Sequence, residues 1–155
     1  MYDVYVSNDA LKKAEAHFTQ QAAKGLEAMG LLLGEPRTWQ GKEYTFVEEY
    51  FTAQNSASSV LVKFSENAFA DLVRQYREHR GKIITGWLHS HPSFGCFMSR
   101  TDLATQEKFF PEPFHVALVA DPTKKEGGRM LLRAYKAADG SYREVSYAVV
   151  ERRKK

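Results

Sequence analysis

The stretch Lys82-Ile-Ile-Thr-Gly-Trp-Leu-His-Ser-His-Pro-Ser-Phe-Gly-Cys-Phe-Met-Ser-Arg-Thr-Asp102 decides how this chain folds. Residues 82–88 are apolar and β-branched, which suits a buried strand, and the strand is expected to end at His89. A loop rich in Pro, Gly and Phe follows. Ser99-Arg-Thr-Asp102 then carries the polar signature of a helix N-terminus.

Outward from this unit, residues 2–6 alternate apolar and polar side chains, and Ser7-Asn8-Asp9 offers capping groups before helical spacing from Leu11 to about Gly25. Residues 30–34 form a short apolar run between glycines, of a length that suits a buried strand, with 44–50 as its neighbour across a turn containing Gly41. Residues 53–59 are small and polar and read as a loop. Residues 60–64 read as a strand, Ser65 as the cap of a helix reaching about Arg80, and 114–120 and 131–134 as further strands. Strands in direct succession are mixed with strands joined by helices. That order predicts a three-layer α/β fold, a mixed sheet flanked by helices, rather than a doubly wound parallel sheet. One domain is expected over 1–150, with Glu151-Arg-Arg-Lys-Lys155 as a solvated, disordered basic tail.

A chain of 155 residues, 43% hydrophobic, is long enough for one substantial core and too short for two ordinary domains. The net charge is only +3, so nucleic acid is not an expected partner. The longest apolar run, 29–33, is far below the ~20 residues that cross a bilayer, and the N-terminus lacks a leader pattern. With a single cysteine, Cys96, there is no internal disulfide, and a cytoplasmic location is expected.

The chemistry concentrates at the end of the 82–88 strand. Residues two apart on a strand project to one face, so His89 and His91 can aim two imidazoles at one ion. The loop through Pro92 and Gly95 can return the first turn of the next helix over them, making the Asp102 carboxylate a third ligand. Three protein ligands leave one tetrahedral position for water, the mark of a catalytic rather than a structural zinc site. Glu27, just before the apolar run 30–34, is the candidate general base, since an apolar setting would raise its pKa. Ser99 is the candidate donor to an oxyanion.

The pattern His-x-His, seven residues, Ser, two residues, Asp, with a distant upstream Glu, resembles the JAMM, or MPN+, metalloprotease family, matched here by Glu27, His89, His91, Ser99 and Asp102. Glu27-Ala-Met-Gly30, Gly86-Trp87, His89-Ser-His-Pro92, Phe94-Gly-Cys96, Thr105-Gln106 and Ala120-Asp-Pro122 are similar to the ubiquitin-system members of that family. Leu88 and Phe97 stand where those relatives often carry another aromatic residue. The resemblance implies a cytidine-deaminase-like MPN/JAB1 fold, one catalytic zinc, and cleavage after the C-terminal Gly-Gly of ubiquitin or a ubiquitin-like protein. The chain's small size suggests a free-standing prokaryotic enzyme, with a place in a ubiquitin-like conjugation or antiviral system as one setting. In similar family members the segment matching 60–64 reorganises around the bound tail, and Val60–Phe64 is the expected strand edge for it.

Each residue alone has a plainer reading. A His-x-His pair arises often by chance among five histidines, Glu27 alone would be a solvated helix-end residue, and Ser99 alone an N-cap. Only their joint spacing promotes them. Cys96 as a fourth ligand would close the site; a small buried thiol is the preferred reading. His17, His79 and His115 read as surface or packing residues. Two rival functions are a non-catalytic MPN scaffold and a zinc-dependent deaminase-like hydrolase, although the deaminase His-x-Glu and Pro-Cys-x-x-Cys segments are absent.

Overall fold

The structure, a computed structural model, describes residues 1–52, 66–79 and 81–151. The expected loop 53–59, the strand 60–64 and the Ser65 cap lie outside the described residues. So does most of the basic tail.

The chain forms β1 (Val4–Ser7), α1 (Asn8–Ala22), β2 (Met29–Trp39), β3 (Lys42–Phe51), α2 (Glu66–His79), β4 (Ile83–Ser90), α3 (Arg100–Phe109), β5 (Val116–Glu126), β6 (Arg129–Ala138), β7 (Ser141–Val145) and β8 (Tyr147–Val150). Among the described residues these strands make one sheet in the order β7-β6-β5-β4-β2-β3-β1-β8. It is mixed as expected: β4 pairs β5 and β1 pairs β3 and β8 in parallel, while β2 runs antiparallel to both β3 and β4.

Side-chain alternation divides the interior into two layers. Leu32, Leu88 and Leu118 point to one face and pack with Ala10, Leu11, Ala14 and Phe18 of α1. Leu31, Leu33, Trp87 and Val119 point to the other, against Leu72 and Tyr76 of α2 and Phe110 at the end of α3. Leu31, Leu32, Leu33, Leu88, Leu118 and Val119 are each at 0% exposure, and each contributes about 1.5–3 kcal/mol over an exposed position. Gly86 is dictated by a close approach. Its φ is 153°, and a Cβ there would lie 1.8 Å from the carbonyl oxygen of Val116 on β5.

Several boundaries differ from the sequence reading. β2 continues past Gly34 to Trp39, because Gln40 and Gly41 both adopt positive φ, 49° and 77°, and close a tight hairpin that lets exposed residues keep pairing with β3. β4 runs on to Ser90, so His89 lies within the strand. α1 starts at Asn8, where the Ser7 hydroxyl accepts from the Ala10 amide. β7 and β8 were not expected: β7 is exposed over its first four residues and β8 is half-buried throughout, so neither shows an apolar alternation. No described helix is long and apolar enough to cross a membrane.

Candidate metal centre

β4 delivers the two histidines. The parity that faces Trp87 toward the α3 layer carries over to His89, which stacks on the Trp87 ring at 4.1 Å between centroids and 16° between planes. Trp87 donates its indole N–H to the Gln106 side-chain carbonyl at 2.6 Å, and Gln106 is one helical turn beyond Asp102 on α3. Helix and strand are thus bolted together beside the site.

Asp102 occupies the first turn of α3, locked by a reciprocal cap: its amide donates to the Ser99 hydroxyl oxygen and the Ser99 amide donates to its carboxylate, both at 3.0 Å. The same carboxylate oxygen lies 3.1 Å from His89 Nε2 and 3.2 Å from His91 Nε2. All three residues are at most 5% exposed. Burial alone would push the Asp102 carboxyl up; the two imidazoles and the Ser99 amide outweigh it and hold the group well below the usual carboxylate range.

Both ring nitrogens of His89 and Nδ1 of His91 are buried without a hydrogen-bond partner. Orphaned buried nitrogens are costly, on the order of 1–3 kcal/mol each, and rare outside functional sites. The donor atoms of His89, His91 and Asp102 lie within 4.8 Å of one another, and theirs is the single such cluster among the described residues. Two imidazole nitrogens and one carboxylate oxygen converging with unmet donor capacity fit a metal ion.

Glu27 lies two residues before β2, whose Met29 pairs with His89. Ser90 secures this junction. Its amide donates to the Ala28 carbonyl at 2.9 Å, and its hydroxyl accepts from the Ala28 amide at 2.9 Å. Burial raises the half-buried Glu27 carboxyl, and His91 and His89 are near enough to oppose that rise. Ser99 caps α3: its hydroxyl oxygen accepts from the Asp102 amide, leaving the hydroxyl proton to be donated elsewhere.

A comparison of the sequence with family profiles matches residues 1–111 to the JAB1/Mov34/MPN/PAD-1 ubiquitin protease family. The chain belongs to this family. It is 33% identical over 150 residues to the Candida glabrata 26S proteasome regulatory subunit RPN11, covering 88% of this chain and 44% of that protein. It is 35% identical over 139 residues to the 26S proteasome non-ATPase regulatory subunit 14 of Dictyostelium discoideum, covering 86% and 43%. The Saccharomyces cerevisiae ubiquitin carboxyl-terminal hydrolase RPN11 is 33% identical over 150 residues, covering 88% and 44%. The chain therefore spans less than half the length of these relatives. The solution structure of a Desulfitobacterium hafniense protein superposes with a TM-score of 0.65 at 21% identity, covering 96% of this chain and 94% of that one, which bears on the fold alone.

In this JAB/MPN chain His89, His91 and Asp102 converge, Ser99 is joined to Asp102 by the cap, and Glu27 is near enough to feel the charge of all three, while His17 and His115 are engaged elsewhere. His17 Nδ1 is 2.7 Å from the Tyr50 hydroxyl, and His115 Nε2 is 3.1 Å from the Ile84 carbonyl. Cys96 stays outside the cluster: its thiol points to the Leu131 carbonyl at 3.6 Å, and burial pushes its pKa up to about 11. Sequence reasoning gave no role to Ser90, Gln106 or Asp121. The available signal was that all three fall in stretches similar to the ubiquitin-system members, His89-Ser-His-Pro92, Thr105-Gln106 and Ala120-Asp-Pro122, and each proves to be a buried hydrogen-bonding anchor.

Proposed function

We propose that this protein is a zinc-dependent isopeptidase that cleaves the bond after the C-terminal Gly-Gly of ubiquitin or a ubiquitin-like protein. The observation that carries the reading is the convergence of two buried imidazoles with orphaned nitrogens on the Asp102 carboxylate, with Glu27 near enough to feel their charge. His89, His91 and Asp102 would hold the ion; bound there, zinc would supply Lewis acidity, drawing charge from the scissile carbonyl and bringing the pKa of water toward neutrality.

The chain's own residues do the rest. Glu27, its carboxyl raised by burial, takes a proton from the attacking water and returns it to the departing amine nitrogen. The Ser99 hydroxyl donates to the oxygen of the scissile carbonyl as negative charge gathers on it. The capping box holds Ser99 and Asp102 in fixed relation, so donor and ligand keep their geometry through the reaction. The relatives named as proteasomal subunits and as a ubiquitin hydrolase support this substrate class.

The test pairs metal analysis with a linkage-defined diubiquitin panel. Wild type should carry one zinc and cleave at least one linkage, and His89→Ala should lose both. Zinc retained unchanged in His89→Ala would defeat the ligand assignment. A zinc-bound wild type that cleaves no isopeptide or Gly-Gly peptide bond would leave a scaffold or another hydrolase.

A further inference from the structure

The loop joining His91 to Ser99 is held at several points between His91 and Cys96. The His91 amide donates to the Ala120 carbonyl at 2.8 Å and the Phe94 amide to the His91 carbonyl at 3.1 Å. The Tyr135 hydroxyl donates to the Cys96 carbonyl at 2.9 Å, and Met98 is buried in the core. At the loop's tip the anchor is Asp121 of β5, whose side chain is fully buried. Its carboxylate accepts from the Ser93 amide at 3.1 Å and the Gly95 amide at 2.9 Å, and also from the Thr123 amide and hydroxyl at 2.9 and 2.6 Å.

Those two loop amides belong to residues in the left-handed region, Ser93 at φ 72° and Gly95 at 78°. For Ser93 that conformation is unfavourable and persists only where the surroundings impose it. The effect is to aim two aromatic side chains outward. Phe94 is 74% exposed, and Phe97 is 43% exposed with its ring 4.7 Å from the ring of His91. A strained, heavily anchored loop that leaves large apolar rings in water beside a metal centre serves contact with something outside the chain.

We propose that the 92–98 loop is a preformed docking platform in which Phe94 contacts an apolar patch of the protein substrate flanking the scissile bond, with Asp121 as the positioning residue that fixes it. This rests on the isopeptidase reading. Preformation spares the ordering cost of a flexible loop, so its value appears in substrate affinity rather than in the chemical step.

The test is steady-state kinetics on the diubiquitin panel with zinc-loaded wild type, Phe94→Ala, Asp121→Asn and Gly95→Ala, together with amide exchange over 93–97 and zinc analysis. Phe94→Ala should raise KM about tenfold, as loss of one well-placed aromatic contact does, with loop exchange unchanged. Asp121→Asn should speed exchange at the loop amides and raise KM to a similar degree, with kcat within a factor of about two and zinc retained. Gly95→Ala strains the loop without touching β5, keeps the question answerable if Asp121→Asn does not fold, and should act in the same direction. An unchanged KM in Phe94→Ala, or a loosened loop in Asp121→Asn or Gly95→Ala with wild-type KM, overturns the platform alone. Wild type that binds zinc yet cleaves nothing overturns the isopeptidase reading and the platform with it.

Discussion

Replacing Ser90 with alanine should loosen the junction that places Glu27. In the folded chain the Ala28 amide is buried and its acceptor is the Ser90 hydroxyl at 2.9 Å, while the reverse contact to the Ala28 carbonyl is long, at 3.5 Å. The carbonyl keeps a second donor, the Ser90 backbone amide, so only the Ala28 N–H is stranded. A stranded buried amide costs about 1–3 kcal/mol, and the lost hydroxyl is too small to open a large cavity. Taking about 2 kcal/mol, the folding equilibrium shifts roughly thirtyfold and the midpoint of thermal unfolding falls by about 4–8 °C for a domain of this size. The assay is urea and thermal unfolding of zinc-stripped protein, because bound metal would add its own stabilisation to both variants. Zinc content should not change, since the ligands are untouched, whereas kcat should fall about tenfold as Glu27 drifts from the water it deprotonates. A Ser90→Ala protein as stable as wild type to within about 0.5 kcal/mol, with full kcat, refutes the reasoning.

Glu27→Gln should retain zinc and lose about 100-fold or more in turnover, because Gln preserves shape but takes no proton; more than a tenth of wild-type rate removes Glu27 from the base role. Ser99→Ala should show two separable losses: about 1 kcal/mol of stability from the missing cap, and roughly 100- to 1,000-fold in rate from the missing oxyanion donor, read by denaturation and kinetics respectively. Gly86→Ala should destabilise by on the order of 3 kcal/mol or more, since its Cβ meets the Val116 carbonyl and its φ is unfavourable for any L side chain; near-native stability would contradict the close approach of β5. Burial holds His17 below the ordinary imidazole value, so as pH falls through about 6.5 the unfolded chain binds the proton first and folding stability declines. Urea midpoints at about pH 7.5 and 5.5 should therefore fall more in wild type than in His17→Gln, and equal falls would contradict it.

How much of this was legible in the sequence depended on the range of each interaction. The metal cluster was, because a strand's period of two aligns His89 with His91 and a helix cap fixes Asp102 relative to Ser99, both local rules. Glu27 became a candidate because a glycine-flanked apolar run announced β2, although only the pairing of Met29 with His89 brings that end of β2 beside the histidines. The Ser90–Ala28 clamp, across 62 residues, and the Asp121 brace, across 26 to 28, are long-range polar contacts that no periodicity encodes. β7 and β8 were missed for a different reason. As edge strands of the sheet they bury one side chain or none fully, so the alternation that identifies a strand is absent. The far half of β2 escaped likewise, since residues 35–39 of that strand are all exposed.

The most direct test of a zinc isopeptidase built on His89, His91 and Asp102 is a metal titration of stripped protein, followed by cleavage of a diubiquitin substrate. Activity should be absent at the start, rise in proportion to added zinc, and break sharply at one ion per chain. Full cleavage by the stripped protein, or none at any zinc concentration across the linkage panel, would contradict the account.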